Sequence, residues 1–238
     1  MNSFIGILGV GALLLATGGV IGATRPSQFS LRWLLVSAGL VLLIDFLLTR
    51  GYGLLPNLIP LGERNWQGMI LALAATLAVA STPAFGWRAS YLTPVQAPGS
   101  VKPALLVSAL YMGFFLALAL VFPNEPSTTE NLAFQMTMPG LMEEAFYRGV
   151  LLLALGRAFT GRVTLLGVDW SWGAILSCAL FGLAHAFGFS RGGFSFDPLT
   201  MALTAMPSLI AVWIVLRTRS ILLPIVLHNF GNTIMNLL

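Results

Sequence analysis

Charge is the property that this sequence has least of. Only 8% of its 238 residues are Asp, Glu, Lys or Arg, whereas 57% are hydrophobic and the mean hydropathy is +0.89. Soluble domains are about 25% charged, and eight acids with twelve bases cannot cover the surface of a soluble chain of this length. The composition therefore excludes an ordinary soluble domain and predicts a polytopic membrane protein.

Cysteine and histidine are scarcer still. The single cysteine, Cys178, lies in an apolar segment and can form no disulfide within the chain. The net charge is +4, and the basic residues, nearly all arginine, are scattered between apolar runs. That distribution is typical of loops near anionic lipid head groups and does not indicate nucleic-acid binding.

Apolar segments long enough to cross a bilayer, which takes roughly 17–25 residues, recur along the chain. They are 3–23, 31–49, 67–86, 103–122, 133–156, 172–189, 199–216 and 221–238. Links rich in turn-forming residues, such as "TRPSQFS" and "SRGGFSFDP", separate them. The sequence thus predicts an all-α fold, a polytopic transmembrane helix bundle of about eight spans that forms one integral membrane domain over 1–238.

The first segment lacks the positively charged start of a secretory signal and is interpreted as a transmembrane helix. Gly18 and Gly22 in it are spaced for close helix contact. With eight spans, most basic residues fall on one side of the membrane: Arg25, Arg32, Arg88, Lys102, Arg157, Arg162, Arg217 and Arg219. That side is expected to be cytoplasmic, which places both termini outside.

Ionisable residues inside the predicted spans are functional candidates, because a charge at bilayer depth costs about 2.5–3.5 kcal/mol. They are Asp45, Glu143, Glu144, Arg148, His185 and His228. For Asp45 the sequence indicates no role beyond a pairing with Arg50 near the same helix end.

Helical geometry separates the three charges of "EEAFYR". Glu144 and Arg148 are four residues apart with the acid first, which favours an ion pair on one face. Glu143 is rotated about 100° from Glu144, which leaves it as the unpaired acid and a candidate proton acceptor. The alternative is that Glu143 has a partner on another helix and that both acids are structural.

The two histidines lie in later segments. His185 follows Phe181 by four residues in "FGLAH", a pattern that by itself is equally typical of a packing residue. His228 and Asn232 are four residues apart in "HNFGN" and point the same way, whereas Asn229 points elsewhere. Such a pair either joins helices by hydrogen bonds or supplies a general acid and an oxyanion donor.

The three motifs, on three apolar segments in this order, resemble the CPBP family of intramembrane proteases. That family is named for CAAX prenyl proteases and bacteriocin-processing enzymes and is also called Abi; the chain looks most like its CAAX prenyl protease 2 type. The lead-in "RTRSILLPIVLHN" is similar to the family's approach to its last motif. The resemblance covers about residues 100–238, so 1–122 is the less diagnostic part and 123–238 carries the catalytic helices.

The resemblance implies hydrolysis of a peptide bond within the membrane. It implies that Glu143 is the base that activates water and that His185 helps to hold this water. It implies that His228 and Asn232 stabilise the oxyanion. Expected substrates are a membrane protein or a lipidated peptide, processed at a CAAX-type end, a leader or a C-terminal sorting signal.

Two further residues of the first motif, Glu144 and Arg148, would hold the helix in position. They would also adjust the basicity of Glu143 without taking part in the reaction themselves. No covalent nucleophile is expected, because Cys178 lies seven residues, about two turns, from His185. Cys178 is therefore interpreted as a packing residue.

Whether a metal takes part is open at this point. Glu143, His185 and His228 would suffice to hold zinc with water in the fourth position, and the CPBP family has been described as metalloproteases. The chain has no HExxH motif, however, and a Glu143 that binds zinc is no longer free to act as a base. The mechanism without a cofactor, thought to operate in CAAX-type relatives, is favoured, with zinc as the alternative.

The protein is expected in a bacterial inner membrane, with Glu143 and His185 nearer the outer half, although CAAX proteases work from the cytosolic side.

Two other functions compete with proteolysis. A non-catalytic bacteriocin-immunity or scaffold protein of the same fold is the first alternative. A small proton-coupled transporter is the second, and the lack of an inverted repeat with broken helices argues against it.

Overall fold

The computed structural model of the chain describes residues 2–125 and 127–238, with side chains from Phe4 onward. Its α-helices are α1 Asn2–Thr24, α2 Leu31–Thr49, α3 Trp66–Ala80, α4 Val101–Val121, α5 Thr129–Gln135, α6 Met138–Glu143, α7 Leu152–Ala158, α8 Trp172–Ala186, α9 Pro198–Thr218 and α10 Leu222–Leu237. A π-helical segment, Glu144–Leu151, joins α6 to α7. The predicted all-α fold is confirmed, since the strands are few and short.

Four helices in the described part of the chain are long and apolar enough to cross a membrane. They are α2, α4, α9 and the Phe4–Thr24 part of α1. The helices α3 and α8 are apolar but have 15 residues each, about 23 Å at 1.5 Å per residue, against a hydrocarbon core of about 30 Å. The number of eight spans therefore stays a prediction.

The segment predicted as one helix over 133–156 is interrupted. Residues Met136 and Thr137 form a turn between α5 and α6, and Pro139 follows in the first turn of α6, a position where its missing N–H costs nothing. The π-helical segment then begins at Glu144. Such segments are rare and frequently lie at functional sites.

Two β-hairpins are present that the sequence did not predict. Strand β1 (Val163–Leu165) pairs with β2 (Val168–Trp170), and β3 (Phe187–Ser190) pairs with β4 (Gly193–Phe196). Each has a two-residue turn whose central residues both have positive φ, with glycine second, as tight antiparallel hairpins require. The predicted span 172–189 is therefore wrong beyond residue 186, and the predicted loop at 190–198 is largely strand.

The N-terminal helices pack directly on the helices that carry the motifs. One buried cluster joins Leu14 of α1, Leu34 of α2, Phe146 of the π-helical segment and Leu180 of α8. A Cβ on Gly18 would lie 2.7 Å from the Leu34 side chain, so this glycine permits the close contact that the sequence predicted. The first two helices thus form one wall of the core around the motifs.

Most of the basic residues lie at one end of the bundle, and acidic loop residues lie at the other, as the contacts between loops show. At one end, Ser30 bonds to Ala158 and Ala97 bonds to Thr218, which gathers the loops with most of the arginines. At the other end, the Glu130 carboxylate accepts hydrogen bonds from the Trp66 indole and from the backbone of Arg64. The charge asymmetry used to orient the chain is thus present in three dimensions, while its orientation in a membrane stays a prediction.

Candidate active site

Three of the four residues predicted to be catalytic meet at one point. Glu143 ends α6, His185 lies in the last turn of α8 and His228 lies in the middle of α10. The Oε2 atom of Glu143 is 3.9 Å from Nε2 of His185 and 3.8 Å from Nε2 of His228. This Oε2 is buried and has no hydrogen-bond partner within 2–125 and 127–238, so its free lone pairs face both imidazoles.

The hydrogen bond made by His185 fixes which of its nitrogens faces Glu143. Its Nδ1 lies 2.8 Å from the backbone oxygen of Phe181, one turn earlier in α8. A carbonyl oxygen can only accept, so Nδ1 carries the proton and Nε2 presents a lone pair in the neutral ring. The four-residue spacing of "FGLAH" therefore sets the tautomer of His185 as well as its helical face.

A second carboxylate orients His228. Its Nδ1 donates to Oε1 of Glu144 over 2.7 Å, and the same Oε1 lies 3.2 Å from Nη1 of Arg148. The side chains of Glu144 and Arg148 are 1% and 3% exposed. The predicted pairing of these two residues is present, but the direct bond from Glu144 to His228 was not foreseen, because sequence spacing relates residues of one helix only.

The ring of Phe181 is a platform beneath these groups. The Arg148 guanidinium carbon lies 4.0 Å from the ring centroid. The imidazoles of His185 and His228 contact the ring, with centroids 4.8 and 5.9 Å away. Phe181 served only as a spacing marker in the sequence, yet its side chain contacts three of the charged or polar groups.

Asn232 lies apart from Glu143. It lines a cavity of about 180 Å³ together with His185 and His228, whereas Glu143 lines a different cavity of about 370 Å³. One N–H of its amide donates to Oε1 of Gln135 over 3.1 Å, which leaves the second N–H for another acceptor. His185 lines both cavities, and Nε2 of His228, which lines the smaller one, lies 3.8 Å from Glu143 Oε2.

Asn229, the residue between the motif positions, ties α10 to α6. Its Oδ1 accepts a hydrogen bond from the backbone N–H of Gly140 over 2.8 Å, and its amide donates to the Thr137 carbonyl. Thr137 does not cap α6 with its own side chain, so Asn229 supplies the cap from another helix. A Cβ on Gly140 would overlap the Asn229 amide. This glycine therefore permits the approach that positions Glu143.

Asp45 belongs to the surroundings of Glu143. Its side chain lines the larger cavity with Glu143, Tyr147 and His185. No ion pair joins Asp45 to Arg50 in the described part of the chain, so the predicted pairing is wrong. The reason is the register of α2, which turns Asp45 towards α6 while Arg50 lies beyond the helix end.

The residues named for zinc, Glu143, His185 and His228, are brought together, and two of their separations are slightly longer than those between zinc ligands. Zinc bonds of about 2.0–2.2 Å at tetrahedral angles put two ligand atoms roughly 3.3–3.5 Å apart, and the two measured separations are 3.8 and 3.9 Å. Within the two described ranges, no group of three or more His, Cys, Asp or Glu residues is arranged to hold a metal ion. The mechanism without a metal and the zinc alternative both stay predictions.

Comparison with known families bears on the same segment. Residues 125–234, which include all three motifs, match the family model described as type II CAAX prenyl endopeptidase Rce1-like. Comparisons with curated proteins and with solved structures gave no match. The family match confirms the resemblance to CAAX-type proteases that the motifs indicated.

Proposed function

We propose that the chain, whose residues 125–234 match the type II CAAX prenyl endopeptidase Rce1-like family model, cleaves membrane-tethered peptides with water activated by Glu143. The family match supports a CAAX-type protease, and the four long apolar helices support an integral membrane protein. The proposal that Glu143 activates water rests on its Oε2 atom. This atom has no hydrogen-bond partner among the described residues and faces Nε2 of His185 and Nε2 of His228.

The measured distances allow one water molecule to bridge Glu143 and one of the two histidines. At separations of 3.8 and 3.9 Å, one oxygen can lie within hydrogen-bond distance, about 2.8 Å, of Glu143 Oε2 and a histidine Nε2 at the same time. Nε2 of His185 accepts a hydrogen bond from this water, and the Glu143 carboxylate removes the other proton as the oxygen attacks the peptide carbonyl. His185 thus orients the nucleophile and Glu143 activates it.

The two histidines take different roles because their partners differ. The Glu144 carboxylate stabilises an imidazolium on His228, whereas the neutral carbonyl behind His185 gives no such support. An imidazolium at His228 donates from Nε2 to the developing oxyanion, with the second N–H of Asn232 as a further donor. On collapse, the C–N bond breaks and Glu143 passes its proton to the leaving amine, giving one carboxylic acid and one amine.

The first experiment compares Glu143→Gln with Glu63→Gln in purified protein, reconstituted in liposomes with membrane-tethered test peptides. Glu63 is an exposed loop residue outside the site, so its change is a matched loss of one carboxylate. Glu143→Gln should lower kcat at least about 100-fold, in the range expected for loss of a general base, while Glu63→Gln should leave cleavage unchanged. Both variants should keep the wild-type unfolding temperature.

Three results would count against the proposal. Cleavage that survives Glu143→Gln would remove this residue from the role of base. A folded Glu143→Gln variant that keeps its cellular function would favour the non-catalytic immunity or scaffold protein. Cleavage that stops with a chelator and returns with zinc would reject the mechanism without a metal.

A further inference from the structure

Hydrolysis inside a membrane needs a supply of water, and Glu143 lines a cavity that could hold it. The cavity of about 370 Å³ lies between α1, α2, α6 and strand β3, with Glu143 in its wall. Most of this wall is apolar, with side chains such as Ile7, Val10 and Met142. A cavity of this kind stays dry unless polar groups offer hydrogen bonds to water.

Two polar residues of α2, near the end of this helix, line the cavity. Thr49 is exposed in the last turn of α2, and Asp45 lies one turn further in, half-buried, with its backbone oxygen bonded to the Thr49 hydroxyl. Both residues line the same cavity as Glu143. The side chain of Asp45 makes no hydrogen bond or ion pair to any of the described residues, so its carboxylate oxygens remain available to water.

The volume of the cavity suits a chain of waters. At about 30 Å³ of liquid volume per molecule, 370 Å³ corresponds to roughly ten waters. Without Asp45, the side chains that offer polar atoms to this cavity would be Thr49, Glu143, Tyr147 and His185, and the other side chains of its wall are apolar.

We propose that Asp45 is a positioning residue that keeps this cavity hydrated and thereby delivers the hydrolytic water to Glu143. The inference rests on the proposed function for its catalytic consequence, but hydration of the cavity is measurable without any substrate. Asp45 acts through water and does not contact the substrate.

The test measures hydration and cleavage separately in the full chain reconstituted in liposomes. For hydration, Ile7→Cys places a thiol in the buried wall of the cavity, with Cys178→Ala in the background. Its modification rate is followed with hydroxyethyl methanethiosulfonate, which is small and uncharged and reacts with the hydrated thiolate. Cleavage of a tethered peptide is followed in chains that lack these two changes.

Three variants are compared. Asp45→Leu should slow thiol modification and lower kcat by about tenfold or more each, with KM within about threefold, because loss of a water supply slows turnover without changing substrate contacts. Asp45→Asn keeps hydrogen-bonding groups and should stay within about threefold of wild type in both measurements. Leu48→Ile reshapes the same wall without changing its polarity and should leave both measurements unchanged.

Two outcomes would overturn the proposal. One is unchanged thiol modification in Asp45→Leu. The other is a loss of cleavage in Asp45→Asn with unchanged modification, which would assign Asp45 a role through its charge or proton. If the wild-type chain cleaves no peptide while modification still drops in Asp45→Leu, the protease assignment fails and the hydration role stands.

Discussion

Replacing Glu144 by Gln should strongly destabilise the protein, because Glu144 is buried and lies between His228 and the buried Arg148. Its Oε1 is 3.2 Å from the Arg148 guanidinium and 2.7 Å from His228. Gln keeps an acceptor for His228 but leaves the Arg148 charge buried without compensation. Removing one partner of a buried ion pair costs about 3–5 kcal/mol, and the retained acceptor favours the lower end.

A loss of about 3 kcal/mol corresponds to a change of roughly 150-fold in the folding equilibrium, at 1.36 kcal/mol per tenfold. The assay is reversible denaturation in mixed detergent micelles, followed by tryptophan fluorescence. Glu63→Gln is the control, since it removes an exposed carboxylate. The double variant Glu144→Gln/Arg148→Met should recover most of the loss, because it removes the stranded charge together with its partner.

Activity separates the two roles of Glu144. The double variant should fold stably and still cleave at least about tenfold more slowly than wild type, since its His228 no longer has a carboxylate to stabilise the imidazolium. The reasoning fails if Glu144→Gln costs less than about 1 kcal/mol, the scale of an exposed ion pair. It also fails if Arg148→Met does not restore stability, or if the stable double variant cleaves at the wild-type rate.

Two further predictions concern neighbouring residues. Asn229→Ala removes the cap of α6, which should lower the free energy of unfolding by about 1–2 kcal/mol in a denaturation experiment. Initial rates should show that kcat falls more than KM changes. An unchanged kcat would show that Asn229 does not position Glu143. Cys178→Ala should leave cleavage within about twofold of wild type, because the buried thiol packs with Ala174 and Val212 away from Glu143; a large loss of cleavage, with folding intact, would indicate a chemical role for Cys178.

Periodicity predicted those parts of the fold that depend on one segment at a time. Apolar runs such as 31–49 became helices with the predicted ends, because a segment in lipid must satisfy its own backbone hydrogen bonds. The pairing of Glu144 with Arg148 was predictable for the same reason, since both lie one turn apart on one segment. The interruption near Thr137 and the β3–β4 hairpin were missed, although Pro139 and "RGG" were visible turn signals.

Contacts between helices were beyond sequence reasoning. Nothing in the spacing of "EEAFYR" and "HNFGN" indicates that Glu144 bonds to His228, or that Asn229 reaches Gly140. The position of Asp45 beside the cavity of Glu143 depends on the rotation of α2 about its axis, which the nearly uniform hydrophobicity of this helix does not reveal. A helix that is apolar on all sides gives no signal of which face meets its neighbours.

By itself, the sequence determined that this chain is a bundle of apolar helices and that most of the Asp, Glu, Arg and His residues in its predicted spans, though not Asp45, lie in three motifs. Those properties follow from composition and from the geometry of a single helix. Only the tertiary structure decided that two Nε2 atoms face Oε2 of Glu143, that Glu144 belongs to His228, and that Asp45 shares a cavity with Glu143. The physical reason is that these relations depend on the packing angle and register between helices. Close contacts at small residues, such as that of Gly140 with Asn229, determine this angle and register.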